Sequence, residues 1–350
     1  MIIGTTGFQL LVIAIIVGLI LIIIFATGKH ERLEVVKSSY ALGTIINLRV
    51  RGSNSEKAIE EAINKLNDID DKMSAFKEDS EISRITSKAG INAEIVSKET
   101  YLVVKKAVEY SKILEGTFDP TIGPLVKLWN IGTKEEAIPE KSQIEETLKL
   151  VNYKDVIIDE STRSIMLNNI KQALDVGGIA KGFAADEVRD IFYTHNIKSA
   201  LIDLGGNIFA LGSKNHGTPW KVGIQNPFKP RGEHIGILSV KNKSVVTSGN
   251  YERYFIKDGQ RFHHIIDPKT GYPSQSKIIS ATIISDNSID GDGLSTGVYI
   301  LGIEKAMGII EAIDGIDAIF ITEDKKVYKT SGIDKNILTL TDEEFFNIVK

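Results

Sequence analysis

Cysteine is absent from this chain of 350 residues. No disulfide, thiolate metal site or cysteine nucleophile can form, so any metal must be held by oxygen or imidazole ligands. No charge of one sign predominates: 42 basic residues face 46 acidic ones, a net charge of −4. Without a basic field there is no electrostatic footprint for a nucleic-acid backbone, and nucleic acid is excluded as a partner. A fixed-period repeat and a low-complexity linker are also missing, which removes solenoids and tethered modules.

What is present begins with an apolar run, Phe8 to Ala26, interrupted only by Gln9 and Gly18. As a helix rising about 1.5 Å per residue it matches the thickness of a bilayer's hydrocarbon core. No Lys or Arg precedes it, unlike the basic start of a cleavable signal peptide, so an uncleaved single-pass anchor is expected. Lys29, Arg32 and Lys37 all follow the run, and the positive-inside rule taken alone would leave the rest of the chain in the cytoplasm.

Beyond the anchor the chain is long enough for a sizeable core. Ala41 to Val50 reads as a strand, and Ser55 to Met73 as an amphipathic helix with Ala58, Ile59, Ala62, Ile63, Leu66 and Ile69 on one face. A second helix is expected over Ser97 to Leu114, stopped by Gly116. Lys134 to Val151 reads as a charged insertion around a further helix, Val156 to Leu167 as a hairpin, and Ile179 to Asn196 as a long helix. Strands dominate from Ala200 to Ile284, before a last helix and strand near Gly302 to Ile321. Strands and helices without strict alternation indicate an α+β fold rather than a doubly wound sheet.

Several clusters carry chemistry. GTFDPTIGPL, residues 116–125, is dense in turn formers that present backbone amides, with Trp129 nearby. LDVGGIAKGFAAD, residues 174–186, places a glycine turn at a helix start, where free N–H groups, the helix dipole and Lys181 suit a phosphate. It lacks both the GK[ST] ending of a Walker loop and the G-x-G-x-x-G spacing, and a tight packing turn is the alternative. Asp203-Leu204-Gly205-Gly206-Asn207 is a further glycine turn at a strand end.

The stretch Ser244 to Pro273 holds two strand-like runs ending in polar turns, Thr247-Ser248-Gly249-Asn250 and Asp267-Pro268, with Tyr251, Arg253 and Tyr254 between them. Along Phe262 to Ile266, alternation sets Phe262, His264 and Ile266 on one side and His263 and Ile265 on the other. Residues 286–296 cluster oxygen donors. An EF-hand is excluded because the twelfth position from Asp286 or Asp290 is Gly297 or Leu301, not Glu. Asp292 and Thr296, four apart, share a side at a helix start and suit one hard cation, the alternative being N-capping of a helix after Leu294.

Taken in order, Leu42-Gly43-Thr44, Met73-Ser74 with Asp79-Ser80, GTFDPTIGPL, LDVGGIAKGFAAD, Gly205-Gly206-Asn207, TSGNYERYF, HHIIDPKTGYP and DGLST resemble the ApbE family of FAD:protein FMN transferases. The similarity spans residues 36–335. It implies a two-part α+β fold related to the T-fold, with FAD between the parts, lined by Leu42, Phe76, Thr117, Phe118, Asp119, Asp175, Lys181 and Ile265. It puts Mg²⁺ on Asp292, Thr296 and Ser295, with backbone help from Gly178 to Ala180. Family members usually carry Met at the position of Leu42 and often Tyr at that of Phe76, and some have a carboxylate where this chain has Ser295. The organisation that follows is a tail over residues 1–7, the anchor over 8–26, a linker over 27–35, the transferase domain over 36–335 and a C-terminal tail over 336–350.

The implied reaction is phosphoryl transfer: a Thr or Ser hydroxyl of a target flavoprotein attacks the pyrophosphate of FAD, takes FMN and releases AMP. Positioning and charge stabilisation by Mg²⁺ and Lys181 would carry most of the catalysis. His264 is the candidate base, and Asp267 would orient the loop or metal shell. The resemblance also implies a catalytic domain outside the cytoplasmic membrane, tethered by the N-terminal run in place of the lipidated Cys of many members. The alternatives are a Mg²⁺-dependent FAD pyrophosphatase on the same scaffold and a non-catalytic flavin-binding protein.

Overall fold

The computed structural model describes residues 34–214 and 217–342, with the backbone of 347–349. The apolar run 8–26 lies outside the described residues, and among those described no helix is long and apolar enough to cross a membrane.

The strand expected at Ala41 to Val50 is present from Thr44 onward, and a tight turn at Leu42-Gly43 joins it to a preceding strand that ends at Ala41. β1 (Glu34–Ala41) and β2 (Thr44–Arg51) pair antiparallel with Ala41 opposite Thr44. Leu42 (φ 53°) and Gly43 (φ 69°) make the two-residue connection, both in the left-handed region that such tight hairpins require. The helix Ser55–Met73 follows at the expected bounds, and its stripe of Ala58, Ile59, Ala62, Leu66 and Ile69 is buried. Then come a short helix, Glu81–Ser87, the two-residue β3 (Glu94–Ile95), and the helix Lys98–Ile113, whose start Ser97 caps by accepting from Thr100 N. Short helices at Gly123–Trp129 and Lys141–Leu148 precede the expected hairpin of β4 (Val156–Asp159) and β5 (Ser164–Leu167).

The helix Ala180–Thr194 is followed by β6 (Ser199–Leu204), β7 (Asn207–Gly212) and β10 (Lys243–Gly249) of the main sheet, with β8 (Trp220–Gln225) and β9 (His234–Val240) of a smaller sheet between β7 and β10 in the chain. The hairpin of β11 (Tyr254–Lys257) and β12 (Gln260–His263) stands apart from that sheet. After it run β13 (Ile278–Ser285), the helices Ser288–Leu301 and Ile303–Glu311, β14 (Asp317–Thr322), β15 (Lys326–Lys329), β16 (Leu338–Leu340) and β17 (Asn347–Val349).

Nine strands form one sheet in the order β1-β2-β6-β7-β10-β13-β14-β15-β17, antiparallel except where β15 meets β17. The two strand-like runs within Ser244 to Pro273 therefore do not pair with each other: β10 lies between β7 and β13. The stretch expected as a C-terminal tail contributes strands as well, β16 beside β9 and β17 beside β15.

Both faces of the central strands of this sheet are covered, whereas β1 and β2 leave one face exposed at Val36, Tyr40 and Ile45. Ala318 and Phe320 of β14 face the core shared with the helices, while Ile319 and Ile321 face the three-stranded sheet β16-β9-β8. All eight residues of β13 are buried for the same reason, and such a strand reads as a continuous apolar run rather than an alternating one. A third cluster of Leu125, Trp129, Ile144, Phe262 and Ile266 anchors the β11–β12 hairpin and the loop after it. The two-sided reading of Phe262 to Ile266 survives, because Ile265 belongs to the large core instead. As a strand, however, the run stops at His263, and Ile266 keeps only an isolated bridge to Pro273.

The helix expected after Leu294 begins at Ser288. The acidic cluster is thus inside the helix, and Asp186 does the capping from another helix: its carboxylate accepts from the backbone N–H groups of Ser288 (2.8 Å) and Ile289 (2.9 Å). Burial pushes the Asp186 carboxyl up to about 6.

Candidate active site

The helices Ala180–Thr194 and Ser288–Leu301 pack against each other at close quarters. A Cβ built on Gly182 would lie 2.4 Å from the Ser288 carbonyl oxygen and 2.7 Å from Asp292 Cβ, so only glycine fits. This approach brings Asp292, 4% exposed, onto the first turn of the neighbouring helix, where Gly182 N–H donates to Oδ2 at 2.8 Å. A carboxylate is favoured there by the unpaired N–H groups and the helix dipole. Its other oxygen, Oδ1, lies 3.5 Å from Lys181 Nζ, which also donates to the Gly177 carbonyl at 2.9 Å.

One turn further along the helix, Ser295 Oγ donates to the Asp292 carbonyl (3.1 Å). Ser248, at the end of β10, sits between the two remaining hydroxyls, 2.9 Å from Ser295 Oγ and 3.2 Å from Thr296 Oγ1. Gly178 closes the group: a Cβ there would fall 3.1 Å from Phe118 Cε2 and 3.9 Å from Thr296 Oγ1. Thr117 Oγ1 donates to the carbonyls of Leu114 (2.8 Å) and Gly297 (3.0 Å), and Asp175 N–H donates to the Pro120 carbonyl at 2.8 Å. Two loops and two helix segments far apart in sequence therefore meet at one place.

Among the described residues no three His, Cys, Asp or Glu side chains gather as a metal cage. Asp292 with Thr296, Ser295 and the backbone at Gly178 and Ala180 is an all-oxygen set with a single carboxylate. That chemistry fits Mg²⁺, which keeps several waters and takes few protein ligands.

Asp119 and Asp175 serve local geometry first. The Asp119 carboxylate accepts from Thr121 N (2.8 Å), Thr121 Oγ1 (2.6 Å) and Tyr153 N (2.8 Å), using its oxygens within the protein. Burial raises its pKa, although these bonds oppose the shift. Asp175 Oδ1 accepts from Gly177 N–H at 2.8 Å and shapes the turn ahead of the helix.

The two histidines have separate roles. His263, 4% exposed, lies 3.1 Å from the Ser274 carbonyl through Nε2, while Ile265 N–H donates to its Nδ1 (3.3 Å). Both ring nitrogens are used inside the protein. His264 is half-buried, and the Arg253 carbonyl accepts from its backbone N–H and from its Nδ1–H, each at 3.1 Å. That contact assigns the ring proton to Nδ1 and leaves Nε2 as an acceptor. Burial, and after it the Arg253 and Lys181 cations, push the ring well below the usual imidazole range, to about 3.

The remaining expected residues have other immediate surroundings. Ile265 is core, Leu42 occupies the β1–β2 turn, and Phe76 is 85% exposed. Asp267 closes the turn after Ile266, its carboxylate accepting from Lys269 N–H at 2.9 Å. Sequence reasoning missed Ser248 and the Arg253 carbonyl. The TSGN turn pointed toward Ser248, whereas a main-chain acceptor leaves no mark on residue type.

The sequence matches the ApbE family over residues 42–320. The chain belongs to the ApbE family. An FAD:protein FMN transferase of Treponema pallidum (strain Nichols) is 34% identical over 323 residues, covering 87% of this chain and 89% of that protein. Another from Klebsiella pneumoniae (strain 342) is 36% identical over 294 residues, covering 84% of this chain and 91% of that protein. Among solved structures, the ApbE protein of Thermotoga maritima superposes with a TM-score of 0.79 at 31% identity, over 85% of this chain and 97% of that one. The flavin transferase ApbE of Vibrio cholerae gives 0.78 at 27%, over 90% and 99%. The mixed α/β architecture is thus the ApbE fold, and the chain is an enzyme of the transferase class.

Proposed function

We propose that this ApbE protein transfers the FMN half of FAD to a Thr or Ser hydroxyl of a target flavoprotein and releases AMP. The observation that carries this reading is the junction of the two helices. A helix N-terminus, Lys181, one buried carboxylate and two hydroxyls converge there, and the Lys181 charge reaches the ring of His264, whose Nε2 has no partner among the described residues. The turn from Gly177 to Lys181 suits the pyrophosphate of FAD, since its N–H groups, the dipole and the ammonium all favour an anion. Leu42 and the exposed Phe76 would supply apolar surface for the flavin and adenine rings, with the buried Thr117, Phe118 and Ile265 packed behind the wall and Asp119 and Asp175 holding its loops.

Asp292, Thr296, Ser295 and the carbonyls of Gly178 and Ala180 would hold Mg²⁺. The ion supplies charge neutralisation on the pyrophosphate oxygens when bound. The protein's own residues do the rest. Lys181 stabilises the charge that grows on the phosphates. His264 Nε2 accepts the proton of the target hydroxyl as its oxygen forms the new bond to phosphorus, and the anhydride P–O bond breaks with its electron pair leaving on AMP. Asp267 keeps the loop after His264 in register. Placement is proposed as well: the run 8–26 anchors the enzyme in the cell membrane, with the catalytic domain on the extracytoplasmic side facing a flavoprotein subunit there.

The test is incubation of the enzyme with FAD, Mg²⁺ and co-expressed membrane flavoprotein subunits, followed by intact-mass measurement. An FMN-sized addition on one Thr or Ser, with one AMP per addition, is expected. Free FMN and AMP with no adduct would sink the transfer reading in favour of hydrolysis.

A further inference from the structure

A cleft of about 640 Å³ opens beside the candidate active site. It is bounded by the loop after His264, the end of the helix Ser288–Leu301 and the β14–β15 turn. None of its lining residues belongs to the FAD or Mg²⁺ sets, and Asp267, which holds the loop after His264, is the one it shares with the candidate catalytic residues.

The cleft and the candidate base are built from the same segment. Ser274, on the cleft wall, donates its N–H to the Ile265 carbonyl at 2.9 Å and holds His263 through its own carbonyl at 3.1 Å. Ile266 bridges Pro273 between them. On the opposite wall, Ile300 lies one helical turn beyond Thr296, a step of about 6 Å along the axis. The cleft wall and the loop that carries His264 are therefore parts of one hydrogen-bonded segment.

The lining mixes apolar side chains, Ile300, Leu301 and Ile303, with charged ones, and those charges are not all paired. Lys326 pairs with Asp324 at 2.7 Å, and Asp267 is bonded to Lys269 N–H. Lys277 and Glu304 line the cleft from opposite walls, are exposed, and among the described residues have no ion-pair partner. Such a lining suits an extended, hydrogen-bonding peptide better than an apolar small molecule.

We infer that this cleft docks the acceptor protein, taking the polar segment beside its modified hydroxyl, with charges on that segment opposite to Lys277 and Glu304. The inference rests on the transfer reading above. It adds a partner-binding surface separate from the FAD site, through which the acceptor's hydroxyl is delivered to His264.

The test uses full-length enzyme and the flavoprotein subunit that gains FMN mass in the preceding assay. Two variants are compared with wild type: the charge-reversed pair K277E/E304K, and Gln275→Trp, which fills the cleft from an exposed position. Each is expected to raise the KM for the acceptor at least tenfold, with the dissociation constant for FAD unchanged. Unchanged FAD binding also shows that the variants are folded. Labelling by wild type with an unaltered acceptor KM in both variants overturns the cleft alone. Failure of wild type to label any subunit overturns the transfer reading, and the cleft proposal with it.

Discussion

At the scale of single residues, chemistry here depends on which atoms remain free after the fold has used the rest. His263 and His264 are neighbours of the same type, yet only His264 keeps an unengaged ring nitrogen. Replacing His264 with Ala is expected to lower the rate of FMN transfer by about 10² to 10⁴-fold while leaving FAD affinity within a few-fold. Equilibrium binding followed by flavin fluorescence checks the second half, and unaltered transfer would remove His264 as the base. The acid side of the pH profile follows from the same ring. With a free-enzyme pKa of about 3, His264 is neutral from pH 8 down to pH 5, so kcat/KM for FAD shows no limb near pH 6.5. The stability effect has the matching sign. The unfolded imidazole, near 6.5, takes its proton before the folded one does, so the contribution of His264 falls as pH drops from about 6.5 toward 3. Asp292 has one oxygen committed to Gly182 and one facing Lys181. Its change to Ala should abolish activity or shift the Mg²⁺ response by more than tenfold, read by titrating Mg²⁺ both in turnover and in thermal-shift measurements.

Between elements, glycine decides how closely helices approach. Gly182 faces the main chain of the next helix, at Ser288 and Ile289, and backbone cannot step aside. Gly182→Ala should therefore destabilise the protein by about 3 kcal/mol or more, through overpacking at a contact that also positions Asp292. Gly297 meets the end of the Leu114 side chain at 2.5 Å. There the intruding group can rotate, and alanine's helix propensity offsets part of the strain, so Gly297→Ala should stay within about 1 kcal/mol. Urea denaturation of the two variants distinguishes these cases. Similar losses at both positions would contradict the backbone argument. Neither effect was visible beforehand: the helix was expected after Leu294, because an Asp-Gly-Asp-Gly run has the composition of a turn. Packing against a neighbouring helix and the cap from Asp186 override that local preference.

For the whole molecule, the active site lies where segments separated by more than a hundred residues converge on one edge of the helix layer. β1 pairs along its full length from Glu34, so a protein lacking residues 1–33 keeps every described strand of the sheet. That shortened protein is expected to remain in the soluble fraction and to turn over FAD and acceptor in solution, whereas the full-length protein sediments with membranes. Sedimentation of both with membranes would contradict the anchor.

Residue order alone determined most of the elements and pointed to several segments that the fold brings together. Amphipathic periodicity marks the helix Ser55–Met73, and glycine with small hydroxyl residues marks the turns within 116–125 and 174–186, because these are properties of a few adjacent residues; the turn expected at 247–250 is instead strand through Gly249, paired with β13. Strand partners, the hairpin hidden in Ala41 to Val50, and the strands formed by residues 338–340 and 347–349 depended on tertiary structure. Pairing is a choice among distant segments, and a sheet buried on both faces erases the alternation that would reveal it. The roles within the site were decided in the same way. Only the folded chain shows that Asp119 spends its carboxylate on a turn, that Ser248 joins Ser295 and Thr296, and that the Arg253 carbonyl leaves His264 with a nitrogen to use.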